Sequence, residues 1–471
     1  MENKDDFNFN DEFDDGQKKS SEAPMYEGKP TMYGGETQKA PQKSSKKPLL
    51  IAGALLLALV CFLAGWFGRY YAIDTRMRTL MWLVDTVEKK YYKEPDLDAL
   101  YEGLYSAAEP DIFSAYLSAD DYASVIRESE GTSSNFGIAV ASGEGLMQVA
   151  RVVGNSSAEV AGITEGMYIY RFGASAAELK EGDYNAFVAF LQTLGTKRTV
   201  FVECGFSAEN KRVYEIESKD YLSSYCAYAD KDGTFRFRGE TSLSLEEVGA
   251  GIAGLDDDTA YIRLYEFEGN AADEFTRCLN EMKLRGKRNL VLDLRTNGGG
   301  YLNLLQSISS HFCKSSKDSN PVVATAKYRS GKTTVFAATG NDYADYFDAS
   351  SKITVLADEN SASASECLLG VLVSYGAVGY GDIYLRELED GSAHTYGKGV
   401  MQSTYLNAKG EAFRLTAAEI FWPDGKTSIH SKGVTKEDGA HAVKAPQFRG
   451  EEDVFLNEVL SKVCSNGTAV L

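Results

Sequence analysis

The sequence predicts a mixed α/β protein with a single transmembrane helix near its N-terminus. Three observations support this prediction. After about residue 258, short apolar runs alternate with amphipathic helical patterns, which is the signature of an α/β domain. Between residues 134 and 220, apolar runs alternate with turn residues, as in a small sheet domain. From residue 48 to residue 68 the chain carries no charge, over a length that can cross a bilayer.

The composition is that of a globular protein that does not bind nucleic acid. Of the 471 residues, 44% are hydrophobic and 25% are charged, and the net charge is −19. Because nucleic acids bind clustered lysine and arginine, this charge argues against such a partner. The seven cysteines and four histidines follow no zinc-ligand spacing, and an odd cysteine count argues against a disulfide framework. We therefore expect neither a metal nor another cofactor.

The N-terminal segment predicts a tail followed by an anchor. Residues 1–47 are polar and lack hydrophobic periodicity, so we expect a disordered cytoplasmic tail. As a helix, residues 48–68 would span about 30 Å, enough for one bilayer crossing. A cleaved signal peptide is the alternative, but its apolar region is ordinarily only ~7–15 residues long. The lysines before the run favour a cytoplasmic N-terminus, with the rest of the chain outside.

Three regions follow the anchor. Residues 72–130 repeat leucine and valine at helical spacing and predict an N-terminal helical region. Residues 131–221 predict a small sheet domain with one amphipathic helix, Asp183–Leu194. Residues 222–471 predict the α/β core. The strands expected in the sheet domain are Phe136–Ala141, Met147–Val153, Gly166–Phe172 and Thr199–Cys204. Those in the core are Tyr261–Leu264, Asn289–Leu294 and Ile353–Ala357, with helices at Ala271–Leu284 and Ser307–Phe312.

A triple-glycine turn follows one of the core strands. In Asp293–Gly300 the glycines permit positive φ and let backbone N–H groups approach a ligand closely. Such groups bind a phosphate or stabilise an oxyanion. The phosphate interpretation lacks support, because neither a Walker pattern nor G-x-G-x-x-G is present. A plain strand–helix turn remains the alternative for this segment considered alone.

Ser363 is a candidate nucleophile. It precedes an apolar helix and forms a capping-box pattern with Glu366, so a purely structural helix cap is the alternative. The two interpretations are compatible, because a helix N-terminus also stabilises a developing alkoxide.

Lys398 is the candidate base. A lysine can deprotonate a serine only if burial lowers its pKa, and Lys398 lies between two glycines beside Tyr396 and Val400. Gln402 follows four residues later, where its amide could orient the amine. A surface lysine in a hairpin is the alternative. His394 is a rival base, but no aspartate is evidently placed to orient it.

In their order along the chain, these motifs resemble those of the carboxy-terminal processing proteases, which are serine–lysine peptidases of the tail-specific type. Asp293–Gly300 is similar to the family turn D-L-R-x-N-P-G-G, with Gly298 in place of proline. Ser361–Glu366 reads S-A-S-A-S-E, the family signature around its nucleophile. Thr395–Gln402 is similar to T-F-G-K-G-x-x-Q.

The resemblance covers most of the chain after the anchor. Val84–Tyr92 and Glu109–Leu117 are similar to the N-terminal helical region of the family. Asn135–Ala139 and Ala161–Gly166 resemble the carboxylate-binding loop and the A-G-[IL]-x-x-G turn of its PDZ domain. The resemblance thus implies that the sheet domain is a PDZ domain and that the α/β core is the peptidase.

The resemblance also implies site residues. Ser363 would be the nucleophile, Lys398 the general base and Gln402 the support of that lysine. The oxyanion hole would use backbone N–H groups of three residues: Gly299, Gly300 and Ala364. The PDZ domain would bind the substrate's free carboxylate on a loop formed by Phe136, Gly137 and Ile138.

The implied function is that of a membrane-anchored serine endopeptidase. It would lie in the bacterial plasma membrane with its catalytic domain outside and cleave proteins near apolar C-termini. A homodimer through the N-terminal helices is also implied.

Two departures from the family motivate an alternative function. The spacing between Ser363 and Lys398 is longer than in the family, and we predict that the excess, Ile383–Ala393, is an enlarged loop beside the site. Met167 stands where the PDZ turn of the family usually carries aspartate. The alternative is a catalytically silent PDZ receptor or scaffold that senses envelope proteins.

Overall fold

The fold is described from a computed structural model of the chain. The described residues are 55–65, 68, 74–130, 132–142, 147–194, 199–238, 244–313, 320–339, 347 and 350–464. Within these ranges, no helix combines the length and the apolar character that a membrane crossing requires. Part of the anchor predicted at residues 48–68, and all of the tail predicted at residues 1–47, lie outside the described residues.

The chain divides into two compact units, residues 1–96 and 97–471. In the first unit, helix α1 runs from Thr75 to Lys90, and the Asp74 side chain caps it by accepting a hydrogen bond from the N–H of Arg76. The helices of the second unit are α2 Leu97–Ser106, α3 Ala119–Ser129, α4 Ser157–Ala161, α5 Tyr184–Thr193, α6 Ala271–Leu284, α7 Leu302–Ser309, α8 Ala364–Ser374 and α9 Val454–Val463, with 3-10 turns at Tyr380–Asp382 and Lys436–Asp438.

The second unit also contains the strands. In the first half they are β1 Ala115–Leu117, β2 Thr132–Asn135, β3 Ile138–Ser142, β4 Met147–Val152, β5 Tyr168–Gly173, β6 Thr199–Gly205, β7 Arg212–Glu217, β8 Lys219–Leu222, β9 Cys226–Ala229 and β10 Gly233–Arg238. In the second half they are β11 Ser244–Ala250, β12 Thr259–Leu264, β13 Asn289–Asp293, β14 Val322–Tyr328, β15 Thr333–Ala337, β16 Ile353–Ala357, β17 Ile383–Glu387, β18 Val400–Leu406, β19 Ala412–Phe421 and β20 His441–Lys444.

An eight-stranded sheet, ordered β11-β10-β9-β12-β13-β16-β17-β20, forms the centre of the α/β core. From β12 to β20 its neighbouring strands are parallel. Alternate residues face opposite sides, so Leu290 and Leu292 pack with helices α6, α7 and α8, whereas Val291 packs with α9. Helices on both faces explain why these strands are uniformly apolar.

Residues 138–217 form a separate five-stranded antiparallel sheet with its own core. Its strand order is β3-β4-β5-β6-β7. Helices α4 and α5 contribute Ala158 and Phe187 to an apolar cluster with Val149, Ile169 and Val202. This arrangement matches the strands and the helix that the sequence predicts for residues 131–221, apart from shifts of one or two residues at their ends.

The prediction that Ile383–Ala393 is an enlarged loop was wrong. Ile383–Glu387 is strand β17, whose first three residues are buried between β16 and β20. The remaining residues form a tight turn closed by a hydrogen bond from the Leu388 N–H to the Ser392 carbonyl oxygen (2.7 Å). The apolar and aromatic residues of this segment favour a strand, and the prediction gave too much weight to the spacing between the two motifs.

Two smaller predictions also differ from the structure. The helix expected at Ser307–Phe312 begins earlier and runs from Leu302 to Ser309, directly after the glycine turn. The region 72–130 contains helices as predicted, but also strand β1, which pairs antiparallel with β19. That strand brings the residues before it to the edge of the site described below.

Candidate active site

Ser363 lies at the N-cap position of α8 in a strained backbone conformation. Its φ and ψ angles are 56° and −110°, which a residue with a Cβ rarely adopts. The glycine turn lies directly against it. A Cβ on Gly299, whose φ is 101°, would lie 2.8 Å from the Cβ of Ser363, so only glycine fits there.

The serines on either side of Ser363 fix this turn. Ser361 Oγ donates to the carbonyl oxygen of Leu294 (2.8 Å), and Ser365 Oγ donates to that of Asn297 (2.9 Å). Both outer serines are fully buried, whereas Ser363 is partly exposed. Of the three alternating serines, the outer two therefore have buried hydroxyls that stabilise the turn, and only Ser363 is accessible to solvent.

Glu366 joins the serine segment to the lysine segment. Its Oε2 accepts hydrogen bonds from the backbone N–H groups of Ser363 and Lys398, each at 2.9 Å. Its Oε1 accepts from the hydroxyl of Thr395 (2.6 Å) and from the N–H of Gly397 (2.7 Å). Burial raises the pKa of this carboxyl, although its four donors act in the opposite direction. The capping-box pattern identified Glu366, but its contacts with the second motif could not be read from it.

Lys398 is half-buried, and its pKa is lowered from the usual value. Burial is the largest cause, the positive charge of Arg414 adds to it, and Asp111 and Glu366 oppose it. The Nζ atom lies 4.9 Å from the centre of the Phe113 ring. The environment thus favours the neutral amine that a general base requires.

One cavity of about 620 Å³ contains the main candidate residues. Its lining includes Ser363, Ala364, Lys398 and Gln402, together with the turn 298–300. The structure therefore brings the predicted nucleophile, base and oxyanion segment to one cleft. Three carboxylates also line this cleft: Glu128, Glu266 and Glu268.

Two predicted residues make contacts that the sequence did not suggest. The N–H of Gly299 donates to Asn297 Oδ1 (2.9 Å), within its own turn. The amide nitrogen of Gln402 donates to Thr416 Oγ1 (3.2 Å) on the neighbouring strand. The rival base His394 has Nδ1 within 2.8 Å of its neighbour's carbonyl oxygen, that of Thr395.

A buried network of ion pairs holds the first residues of the Asp293–Gly300 turn in place. Asp293 accepts from Arg295 Nη2 (2.7 Å) and from Arg449 Nη2 (2.8 Å). Burial opposes ionisation of Asp293, but these arginines hold its pKa well below the usual range. Arg295 also contacts Asp453, the N-cap residue of α9. Sequence reasoning missed Arg449 and Asp453, since they lie far along the chain in a segment without a motif.

The predicted carboxylate-binding loop lies at one edge of the small sheet. Ile138 begins β3, which is the terminal strand of that sheet. Phe136 and Ile138 pack against the cluster beneath them. At Gly137 φ is 79°, and a Cβ there would lie 1.9 Å from the Cβ of Ser156, so the loop is held closely against the domain.

Comparisons with known proteins show what the α/β core is similar to. Residues 258–438 match the family model of Peptidase family S41. The chain is 28% identical over 237 residues to "Carboxy-terminal processing protease CtpB" of Bacillus subtilis (strain 168), covering 50% of this chain and 44% of that protein. It is 31% identical over 177 residues to a "Probable CtpA-like serine protease" of Staphylococcus aureus (strain COL), covering 37% and 31%. The matches therefore span less than half of these relatives' length.

Among solved structures, the chain is similar to the photosystem II D1 C-terminal processing protease. The identity is 18% and the TM-score 0.41, over 77% of this chain and 92% of that one.

Proposed function

We propose that this protein is a serine endopeptidase that acts near the C-termini of proteins. The match of residues 258–438 to Peptidase family S41 supports this proposal. Ser363 is the nucleophile and Lys398 is the general base. The observation that carries this proposal is the shared cleft, which both residues line while Glu366 holds both backbone segments.

The reaction proceeds in two steps. Neutral Lys398 accepts the hydroxyl proton of Ser363, and Oγ attacks the scissile carbonyl carbon. The resulting ammonium then protonates the departing amine, which leaves an acyl-enzyme. In the second step Lys398 takes a proton from water, the hydroxide attacks the ester, and Ser363 regains its proton.

The oxyanion is stabilised by backbone N–H groups beside Ser363. Ala364 supplies one of them, at the N-terminus of α8, where the helix dipole favours negative charge. The turn Gly299–Gly300 supplies the other. Because the N–H of Gly299 already donates to Asn297, the N–H of Gly300 is the more available donor.

The substrate tail is held by residues 131–221, acting as a PDZ domain. β3 is the terminal strand of its sheet and can add the tail as a further strand, with its carboxylate on the loop formed by Phe136, Gly137 and Ile138. An apolar last residue would pack against the cluster below the loop, as Phe136 and Ile138 do.

The location and assembly are proposed from the sequence alone. Residues 48–68 would anchor the chain in a bacterial plasma membrane with the peptidase outside, and the N-terminal helices would form a homodimer.

The proposal is tested by mass spectrometry of cleavage products. Wild type, Ser363→Ala and Lys398→Ala are incubated with a protein that ends in an apolar tail. We expect C-terminal fragments from wild type alone, with all three proteins equally folded by circular dichroism. A silent receptor would bind the tail without producing fragments, and unchanged cleavage by Lys398→Ala would refute the serine–lysine mechanism.

A further inference from the structure

A turn from the N-terminal part of the second unit covers the amine of Lys398. The ring of Phe113 lies over it, with 4.9 Å between the ring centre and Nζ. Phe113 also packs edge-on against Tyr396, with 6.3 Å between the ring centres. It thus contacts the lysine and the segment that carries it.

Hydrogen bonds fix this turn in place. Asp111 Oδ1 accepts from the N–H of Phe113 (3.0 Å) and from the hydroxyl of Ser114 (2.9 Å). The same oxygen accepts from Thr416 Oγ1 (3.2 Å), and Ser114 Oγ accepts from the Thr416 N–H (3.1 Å). The residues that follow continue as β1, paired with β19. The position of the ring is therefore set by the strand beside the cleft.

Gln402 belongs to the same set of contacts. Its amide nitrogen donates to Thr416 Oγ1, which in turn donates to Asp111. Gln402 is thus connected, through Thr416 and Asp111, to the turn that places Phe113 over Lys398.

Charges on several elements act on the Lys398 amine, and the carboxylates of Glu128, Glu266 and Glu268 line the same cleft. Arg414 on β19 disfavours the ammonium, whereas Asp111 and Glu366 favour it. An aromatic face also attracts a cation, so the ring itself acts in two directions. Its quadrupole favours the ammonium, whereas its bulk excludes the water that would solvate that charge. Burial is the largest cause of the lowered pKa of this amine, and a ring centred 4.9 Å from Nζ contributes to that burial.

We propose that Phe113 is a positioning residue that keeps Lys398 in its neutral, proton-accepting form by excluding water from the amine. This inference rests on the proposed role of Lys398 as the general base. It predicts that the size of the apolar side chain at position 113, rather than its aromaticity, sets the ionisation of the lysine.

The test measures the lysine directly. Competitive acetylation with acetic anhydride modifies neutral amines only, so its pH dependence, read by peptide mass spectrometry, gives the titration of Lys398. The exposed Lys409 serves as internal reference. The full chain is used in a Ser363→Ala background, with Phe113→Ala, Phe113→Leu and Phe113→Val. Ile112→Ala is the matched control, because that neighbouring side chain is 83% exposed.

We expect Phe113→Ala to move the Lys398 titration to higher pH, Phe113→Val to move it less, and Phe113→Leu and Ile112→Ala not to raise it. If the alanine variant does not fold, the valine and leucine variants give the same comparison. With Ser363 restored, activity below the titration midpoint should fall tenfold for each pH unit of that shift.

An unchanged titration in the smallest folded variant would overturn the inference, as would an equal rise in Phe113→Leu. Neither result would contradict the proposed function. That proposal is contradicted instead if cleavage persists without Ser363 or without Lys398.

Discussion

Glu366 shows how a single residue can define the geometry of this site. It is fully buried, and each of its oxygens accepts two hydrogen bonds. Three of its four donors are backbone N–H groups. Unlike a hydroxyl, a backbone N–H cannot rotate away from the carboxylate, and it cannot act as a hydrogen-bond acceptor. The carboxylate therefore holds the backbone positions of Ser363 and Lys398, while leaving both side chains to face the cleft.

Replacing Glu366 by glutamine should loosen this arrangement. In either orientation the new amide group faces at least one backbone N–H that then lacks an acceptor, at a cost of roughly 1–3 kcal/mol. We expect a lower melting temperature and a lower kcat for Glu366→Gln, measured by thermal unfolding and by peptide hydrolysis. The exposed Glu389→Gln is the control. Wild-type stability and rate in Glu366→Gln would contradict this role.

At the scale of elements, helix α6 is joined to the central sheet through a buried carboxylate. Glu274 Oε2 accepts from the N–H groups of Tyr225 and Cys226, each at 2.7 Å, at the start of β9. Burial raises the pKa of Glu274 to about 8, because few charges compensate it. Its folded-state pKa therefore lies above its value in the unfolded chain.

This shift gives the stability of the core a defined pH dependence. The contribution of a group with a raised pKa is complete below its unfolded value and is lost as pH rises through its folded value. For Glu274 this interval runs from about 4.5 to about 8. Unfolding in urea should therefore show Glu274→Gln gaining stability relative to wild type as pH rises from 5 to 8, by up to about 1.4 kcal/mol per pKa unit. A difference that is constant with pH would refute the ionisation of Glu274 as its cause.

The elements also show where sequence was sufficient and where it was not. Apolar periodicity predicted β12, β13, β16 and α6 nearly to the residue, since their burial follows from local pattern. β17 was missed because the spacing between two motifs suggested an insertion. The sequence motifs predicted Ser363 and Lys398 as the catalytic pair, whereas the contacts of Phe113 and Thr416 join distant segments and required the structure.

At the scale of the whole second unit, ion pairs attach the small sheet to the α/β core. Glu165 Oε2 lies 2.8 Å from Nη1 of the buried Arg263, and Arg151 pairs with Glu266, which lines the cleft. Gly166, with φ 85°, lies so close to the backbone of Arg449 that a Cβ would overlap its carbonyl oxygen. The domain that we propose to bind the tail is thus joined to a residue of the cleft.

Glu165→Gln should weaken this attachment. The substitution leaves the charge of Arg263 buried without its nearest partner, which costs roughly 3–5 kcal/mol when nothing else compensates. We expect faster amide hydrogen exchange across residues 138–217, with little change in β13 and β16. Glu215→Gln, at an exposed position on β7, is the control. Equal exchange in the two variants would show that this ion pair does not hold the domain in place.

Covalent labelling can test whether Lys398 activates Ser363. The protein is treated with a fluorophosphonate over a series of pH values, and the labelled residue is located by peptide mass spectrometry. We expect a single adduct on Ser363, formed faster as Lys398 loses its proton and at least tenfold more slowly in Lys398→Ala. Labelling at another serine, or an equal rate at Ser363 in Lys398→Ala, would contradict it.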